Sequence, residues 1–315
     1  MQIKTNASRS PLKIASLLAL ATVALLHPAP LRAAPDDFTV PAVNGNKPFH
    51  LADAKGHYVA LHFLLKTECP YCLKYTQDYA EKAATVAGVQ HVFIKPDTDD
   101  EIKTWADKLK GGVQPAIYRD ADAKLAADFG IPDGYKFHGQ TVHYPALVLL
   151  DPAGKEVFRY VGKNNTDRYS FEQFAAKIAE LSANPAVAQY NLSADKLALS
   201  GFDPVGYLES NQALPGSKEI ASHYRGVTYL FANETNRQHF AATPEKYLPT
   251  YGGWCATAMA KGKKVEIDPA NFKVTNGRLF LFFNGFFGNA IKDWNKDEPT
   301  QTVRADANWK KTAGE

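Results

Sequence analysis

The tetrapeptide Cys69-Pro70-Tyr71-Cys72 constrains this chain more than any other feature. It follows a mostly apolar run, Tyr58 to Leu65, whose content and alternation fit a strand. It opens a helix-like stretch, Tyr71 to Val86, in which Leu73, Tyr75, Tyr79, Ala83 and Val86 are spaced for one buried side. A strand that feeds a helix in this way puts Cys69 at the helix N-terminus. Free N–H groups and the helix dipole favour an anion there, and a thiolate is such an anion. Cysteines in this setting have pKa values of roughly 3.5–7.5, down from about 8.5. The two-residue spacing lets Cys72 attack a mixed disulfide formed by Cys69, so the pair exchanges electrons two at a time. A structural disulfide is the competing reading. A four-residue loop closes little chain entropy, which favours redox work. Pro70 and Tyr71 would shape the turn, and Lys66 would add positive field.

The first 33 residues have the grammar of an export signal: a basic start (Lys4, Arg9, Lys13), an apolar stretch from Ile14 to Leu26, and a small residue after Leu31-Arg32. The apolar run falls short of the about 20 residues a span needs, so an uncleaved anchor is the weaker reading. No later segment reads as a membrane span. The chain holds 36 Lys and Arg against 33 Asp and Glu. Four of the basic residues and none of the acids lie in the signal, which leaves 32 against 33 and a formal charge of −1. There is no basic block, which argues against nucleic acid as a partner. Three cysteines are too few for a disulfide scaffold. Export would place the dithiol in an oxidising compartment, the periplasm if the source is a Gram-negative bacterium.

Residues 36–181 read as one domain. Strands are predicted at 58–64, 89–94, 116–118, 146–150 and 157–161, and helices at 71–86, 99–109, 121–129 and 170–181. Asp151-Pro152-Ala153-Gly154 joins the last two strands with strong turn chemistry, and Ser170 caps the last helix. Residues 182–195 read as a linker. Residues 196–309 form a second, aromatic-rich domain of short elements. It includes a helix capped by Asp203 with Pro204 behind it, a hairpin at 224–231, a helix at 233–242, a hairpin turned by Asn276-Gly277, and closing helices at 289–296 and 304–311.

The strand–CPYC–helix unit, the strand entered through Tyr144-Pro145, and the hairpin followed by a last helix resemble the thioredoxin fold. The segment Tyr118 to Ile131 is similar to the redoxin branch, which includes peroxiredoxins. The resemblance implies an α/β, thioredoxin-like sandwich with a mixed sheet. It also implies a cis bond before Pro145 against the redox pair, leaving the Tyr144 backbone free to pair with a substrate strand. The second half resembles a smaller α+β domain of YHS type, through Gly201-Phe202-Asp203-Pro204-Val205, Tyr224 to Phe231, Pro244-Glu245-Lys246-Tyr247 and Tyr251-Gly252-Gly253-Trp254-Cys255-Ala256. That class is often linked to copper, but its metal-associated members carry cysteines where this chain has Ala232 and Asn236.

The expected activity is thiol–disulfide oxidoreduction. Cys69, Cys72 and Pro145 form the catalytic set, and Pro70, Tyr71 and Tyr144 the substrate-binding set. No cofactor is required. Partners would be protein thiols or disulfides and a recycling redox partner, with the direction of electron flow left open. Copper handling is the alternative: two thiolates suit Cu(I), and His143 would complete the site. A second soft pair, Cys255 and Met259, lies four apart on a predicted helix, with His239 or His223 as added ligands; a buried core pair is the plainer reading. Thiol peroxidase is a further alternative, weakened because Thr67 stands two residues before Cys69 rather than three and no proline precedes it at 64–66. The run Phe280, Phe282, Phe283, Phe286 and Phe287 reads as core.

Overall fold

The computed structural model describes residues 35–43, 45–66, 69–110, 114–137, 140–286 and 288–315. The predicted signal at 1–33, Thr67 and Phe287 lie outside the described residues.

A short antiparallel pair, β1 (Thr39–Val40) and β2 (Phe49–His50), leads into β3 (Tyr58–Phe63). Then follow α1 (Pro70–Lys82), β4 (Val89–Lys95), α2 (Asp99–Ala106), β5 (Ile117–Arg119) and α3 (Lys124–Asp128). The first half closes with a hairpin of β6 (Asp133–Phe137) and β7 (Gln140–His143), then β8 (Ala146–Leu150), β9 (Glu156–Val161) and α4 (Phe171–Leu181). Five strands form one mixed sheet in the order β5-β4-β3-β8-β9. β3 pairs in parallel with β4 and antiparallel with β8, with Tyr58 opposite Val89 and Phe63 opposite Ala146.

Alternation along the strands fills both faces of this sheet. Ala60, Phe93, Leu147 and Leu149 pack with Tyr79, Phe171, Phe174 and Ile178 beneath α1 and α4. Val59, Leu61, Phe63, Ile94, Val148 and Leu150 pack on the other face with Phe49, Leu125 and Phe129. Each of the buried Val, Leu, Ile and Phe side chains stabilises the fold by about 1.5–3 kcal/mol, so the sheet holds α1 and its leading cysteine on a rigid base. Caps fix the helix starts. Ser170 and Gln173 bond reciprocally at the start of α4, as Thr98 and Glu101 do at α2.

Three local elements depart from those expected. The helix expected at 121–129 begins only at Lys124, because Asp122 and Ala123 adopt left-handed backbone (φ 57 and 53) and the Asp120 carboxylate caps the N–H groups of Leu125 and Ala126. Helix α2 stops at Ala106, short of the expected Leu109. The β6–β7 hairpin was not anticipated; its turn residues 138–139 lie outside the described residues.

The second half contains α5 (Pro204–Ser210), the hairpin β10 (Ser217–Tyr224) and β11 (Val227–Phe231), and α6 (Glu234–Ala242). It continues with α7 (Ala256–Met259), the hairpin β12 (Asp268–Thr275) and β13 (Arg278–Phe282), α8 (Ala290–Trp294) and α9 (Glu298–Ala313). Its core has two clusters, one around Tyr207, Tyr229, Phe231 and Phe240, the other around Met259, Phe280, Phe282 and Trp294. Phe286 departs from the expected core run and is 99% exposed at a turn tip. The segment expected as a linker is bound in place: Trp254 Nε1 donates to Gln189 O (2.7 Å) and Asn191 N–H to Gly252 O (2.9 Å). The halves are stitched by a bridge between Val86 and His223, and by Ala87 N–H to His223 O (3.0 Å) and Gly88 N–H to Ala241 O (3.2 Å). The described residues accordingly form one compact unit.

Candidate functional site

Cys69 is the N-cap of α1, with extended backbone (φ −77, ψ 105) and Pro70 as the first helical residue. Proline suits that position because its missing N–H would be unpaired there anyway. One turn later Cys72 is fully buried, whereas Cys69 is partly exposed and Tyr71 is 49% exposed beside it. Both thiols are free.

The guanidinium of Arg168 unites the pair. Its Nη2 donates to Cys69 Sγ (3.4 Å) and to Cys72 Sγ (3.2 Å). Its Nη1 donates to the carbonyls of Asn165 (3.1 Å) and Asp167 (3.0 Å), which aims the planar group at the sulfurs. The loop that carries it is braced. Asp167 accepts from Tyr160 Oη (2.6 Å) and Lys163 N–H (2.9 Å), and Asn164 Oδ1 accepts from the N–H groups of Thr166 and Asp167. Gly162 N–H donates to Pro145 O (2.8 Å) at the start of this loop. A Cβ on Gly162 would lie 2.5 Å from Asp167 O and 2.8 Å from Pro145 Cγ, so only glycine permits this approach.

Behind Cys72, Leu65 N–H donates to its sulfur (3.3 Å), and Lys95 Nζ donates to Leu65 O (2.6 Å). Lys95 is itself buried, 3.3 Å from Asp97 and 4.5 Å from the centre of the Trp105 ring. On the inner side of α1, Tyr75 Oη meets His62 Nδ1 (2.8 Å), and His62 Nε2 meets His91 Nδ1 (2.9 Å).

These surroundings separate the two thiols. The Cys69 thiol is lowered to about 6, first by a hydrogen bond from Cys72, then by backbone N–H groups at the helix start and the Arg168 charge, against the opposing effect of burial. Burial, reinforced by the hydrogen bond to Cys69, pushes Cys72 well up despite Lys95 and Arg168. The partly exposed Cys69 is thereby the more readily ionised thiol, and the buried Cys72 is held protonated.

Two expectations about the neighbouring strand need correction. The Tyr144–Pro145 peptide is trans. The Tyr144 backbone is not free either: its N–H donates to Pro132 O (3.0 Å), and its carbonyl accepts from His143 Nδ1 (2.7 Å). The β6–β7 hairpin runs straight into β8 through this residue, which occupies the groups a substrate strand would need. Lys66 contributes its charge at the Glu101 carboxylate, and Arg168 supplies the cation at the sulfurs.

The soft-metal candidates lie in separate settings. His143 is buried, its Nδ1 proton committed to Tyr144 O, edge-on to the Phe63 ring. Cys255 is buried as the N-cap of α7, not a residue within it, and Met259 packs with Phe280 and Trp294. His239 is exposed beside Glu209 (3.0 Å), and His223 Nδ1 faces Thr228 Oγ1 (3.2 Å). Among the described residues no three His, Cys, Asp or Glu side chains are placed to hold a metal ion. Ala232 and Asn236 instead serve a buried lock: Ala232 N–H (2.9 Å) and Asn236 Nδ2 (2.6 Å) donate to Asp203 Oδ2, while Asp203 Oδ1 caps α5.

Arg168 was invisible to sequence reasoning because nothing in its local pattern connects it to a motif 96 residues earlier. Lys95, His62 and His91 did leave a signal: each is a polar residue inside an apolar strand.

The family model described as AhpC/TSA matches residues 30–157. None of the curated proteins matches the chain. Among solved structures, similarity is found to peroxiredoxin 6 of Arenicola marina, at 18% identity over 51% of this chain and 76% of that one, with a TM-score of 0.43. The 2-Cys peroxiredoxin of Plasmodium vivax shares 21% identity over 47% of this chain and 93% of that one, with a TM-score of 0.41. MTB dsbF shares 20% over 47% and 98%, with a TM-score of 0.37. The family match and the five-stranded mixed sheet together make the first half a thioredoxin-like, redoxin-type fold. No helix of the described residues is long and apolar enough to cross a membrane.

Proposed function

We propose that this chain is an exported thiol–disulfide oxidoreductase acting through Cys69 and Cys72. The observation that carries the reading is one guanidinium nitrogen, Arg168 Nη2, set within hydrogen-bond reach of both sulfurs at a helix N-terminus. In the reducing direction, the Cys69 thiolate attacks one sulfur of a substrate disulfide. A mixed disulfide forms, and the other substrate sulfur leaves as a thiolate that takes up a proton. Cys72 then gives up its proton and attacks Cys69 Sγ. The second substrate thiolate leaves, and the protein holds the disulfide with two electrons transferred. Arg168 and the Leu65 N–H stabilise the negative charge that moves between the sulfurs. In reverse, the same steps oxidise substrate thiols.

The second half is read as a YHS-type module that presents or recruits a partner. Its support is the resemblance together with the Asp203 lock at the positions of the missing cysteines. The Cys72→Ser variant tests the reading with a disulfide-bonded protein and a hydroperoxide offered separately, and the reduced protein with both cysteines is offered Cu(I). Accumulation of a Cys69 mixed disulfide with the protein substrate is the expected result. Hydroperoxide turnover without any mixed disulfide would favour a peroxidase, and stoichiometric Cu(I) binding lost in Cys69→Ser would favour copper handling.

A further inference from the structure

A cavity of about 290 Å³ lies at the seam between the two halves and shares no lining residue with the dithiol site. Its floor is buried and apolar, formed by Val86 and Ala87 after α1 and by Ile178 of α4. Its rim is exposed or partly exposed and polar, with Lys196, His223 and Arg225.

The walls are fixed before any ligand arrives. Ala87 and Gly88 are bonded to the backbone of the second half, and Tyr58 Oη donates to Leu181 O (3.0 Å). At Gly88 (φ +77) the halves approach so closely that a Cβ would lie 2.8 Å from the Tyr224 ring. The gap beside that contact is therefore a preformed hollow with an apolar base and a polar mouth, which is how small-molecule sites are built. An engineered apolar cavity of about 150 Å³ takes up benzene, so this volume suits an apolar body about twice that bulk.

The charge at the mouth selects the head group. Lys196 makes no ion pair among the described residues. Arg225 pairs with Glu245 (2.6 Å), which does not line the cavity. Asp195 is the one carboxylate of the lining, and Lys196 is the cation there without an ion-pair partner among the described residues. His223 also lines the mouth, with its Nδ1 3.2 Å from Thr228 Oγ1.

We propose that this seam cavity binds a small amphipathic acid, its chain of about ten carbons on the Val86–Ile178 floor and its carboxylate at Lys196 and Arg225. The proposal is independent of the dithiol chemistry. Isothermal titration of the full chain with sub-millimolar decanoate and decanol tests it, in the wild type and in Ala179→Trp and Lys196→Glu. Ala179 is an exposed residue of α4 on the cavity wall, so a bulky side chain there fills the hollow without entering the core. Saturable one-to-one binding of decanoate is expected. Ala179→Trp should weaken it at least about tenfold, and Lys196→Glu about tenfold for decanoate but less than about twofold for decanol. Absence of saturable binding, decanol binding as tightly as decanoate, or decanoate binding unchanged in both variants would overturn it. Lys196→Glu is a surface change, so the test stands even if the tryptophan variant fails to fold.

Discussion

Replacing Arg168 by methionine keeps much of the side chain's length and removes its charge. In the native site Nη2 lies 3.4 Å from Cys69 Sγ. A hydrogen bond to a charged group contributes about 1.5–3 kcal/mol, and the partial exposure of Cys69 places this one at the low end through solvent screening. At about 1.36 kcal/mol per pKa unit, the thiol should rise by about one unit, from about 6 to about 7. Two consequences then oppose each other. Less of the thiol is ionised, but each thiolate is a better nucleophile, with a Brønsted slope of about 0.4–0.5. Combined, these make single-turnover attack on a small aromatic disulfide about threefold slower at pH 5 and about 2.5-fold faster at pH 8, with the profiles crossing near about pH 6.6. Stopped-flow measurement across that range reads both arms, and Arg168→Lys should fall between the wild type and the methionine variant. A uniform loss of rate at every pH would refute the electrostatic account and leave Arg168 as a loop brace. An unshifted pKa would refute it as well.

Gly162→Ala should push the Asp167 carbonyl and Pro145 apart, destabilising the fold by about 1–3 kcal/mol and raising the Cys69 pKa; urea titration and alkylation rates measure the two effects. Asp203→Ala removes the acceptor of four donors in a buried site, those of Val205, Gly206, Ala232 and Asn236, so a loss of at least about 3 kcal/mol is expected in the same titration. The buried His62–His91 pair makes stability fall in acid. Burial lowers both imidazoles, His91 to about 4, so the unfolded chain takes up protons first as the pH drops below about 6.5. The stabilisation is complete above that value. His91 alone accounts for a loss of about 2 kcal/mol between pH 7 and pH 5, and His62 adds to it in the same direction. His91 is partly reached by solvent although its Nε2 is enclosed, so this figure is an upper value. Equal unfolding midpoints at the two pH values would contradict the assignment.

The sequence spelled out what depends on local pattern. The run from Tyr58 feeds α1 as its alternation requires, Ser170 caps α4, and Asn276-Gly277 turns β12 into β13. Cys69 could be placed at a helix start because a strand and a helix flank it within a few residues. What escaped depended on contacts distant in the chain or on a choice between close alternatives. Arg168 reaches the sulfurs from a loop beyond β9, and no periodicity encodes that. The Pro145 peptide was misjudged because a resemblance supplied its geometry, while the β6–β7 hairpin, unseen in the sequence, engages Tyr144. Cys255 and Met259 flank one short helical turn, with Cys255 as its N-cap, and Met259 packs into the aromatic cluster of Phe280 and Trp294.

The central claim is that Cys69 is the ionised nucleophile and Cys72 its protonated partner. The most direct test is iodoacetamide alkylation of the reduced wild-type protein across pH 4–10, with each cysteine followed by peptide mass mapping. Cys69 should react first, with a rate profile that turns at about 6, while Cys72 stays unmodified through neutral pH. Preferential alkylation of Cys72, or a Cys69 profile that turns at the ordinary thiol value of about 8.5, would contradict the account.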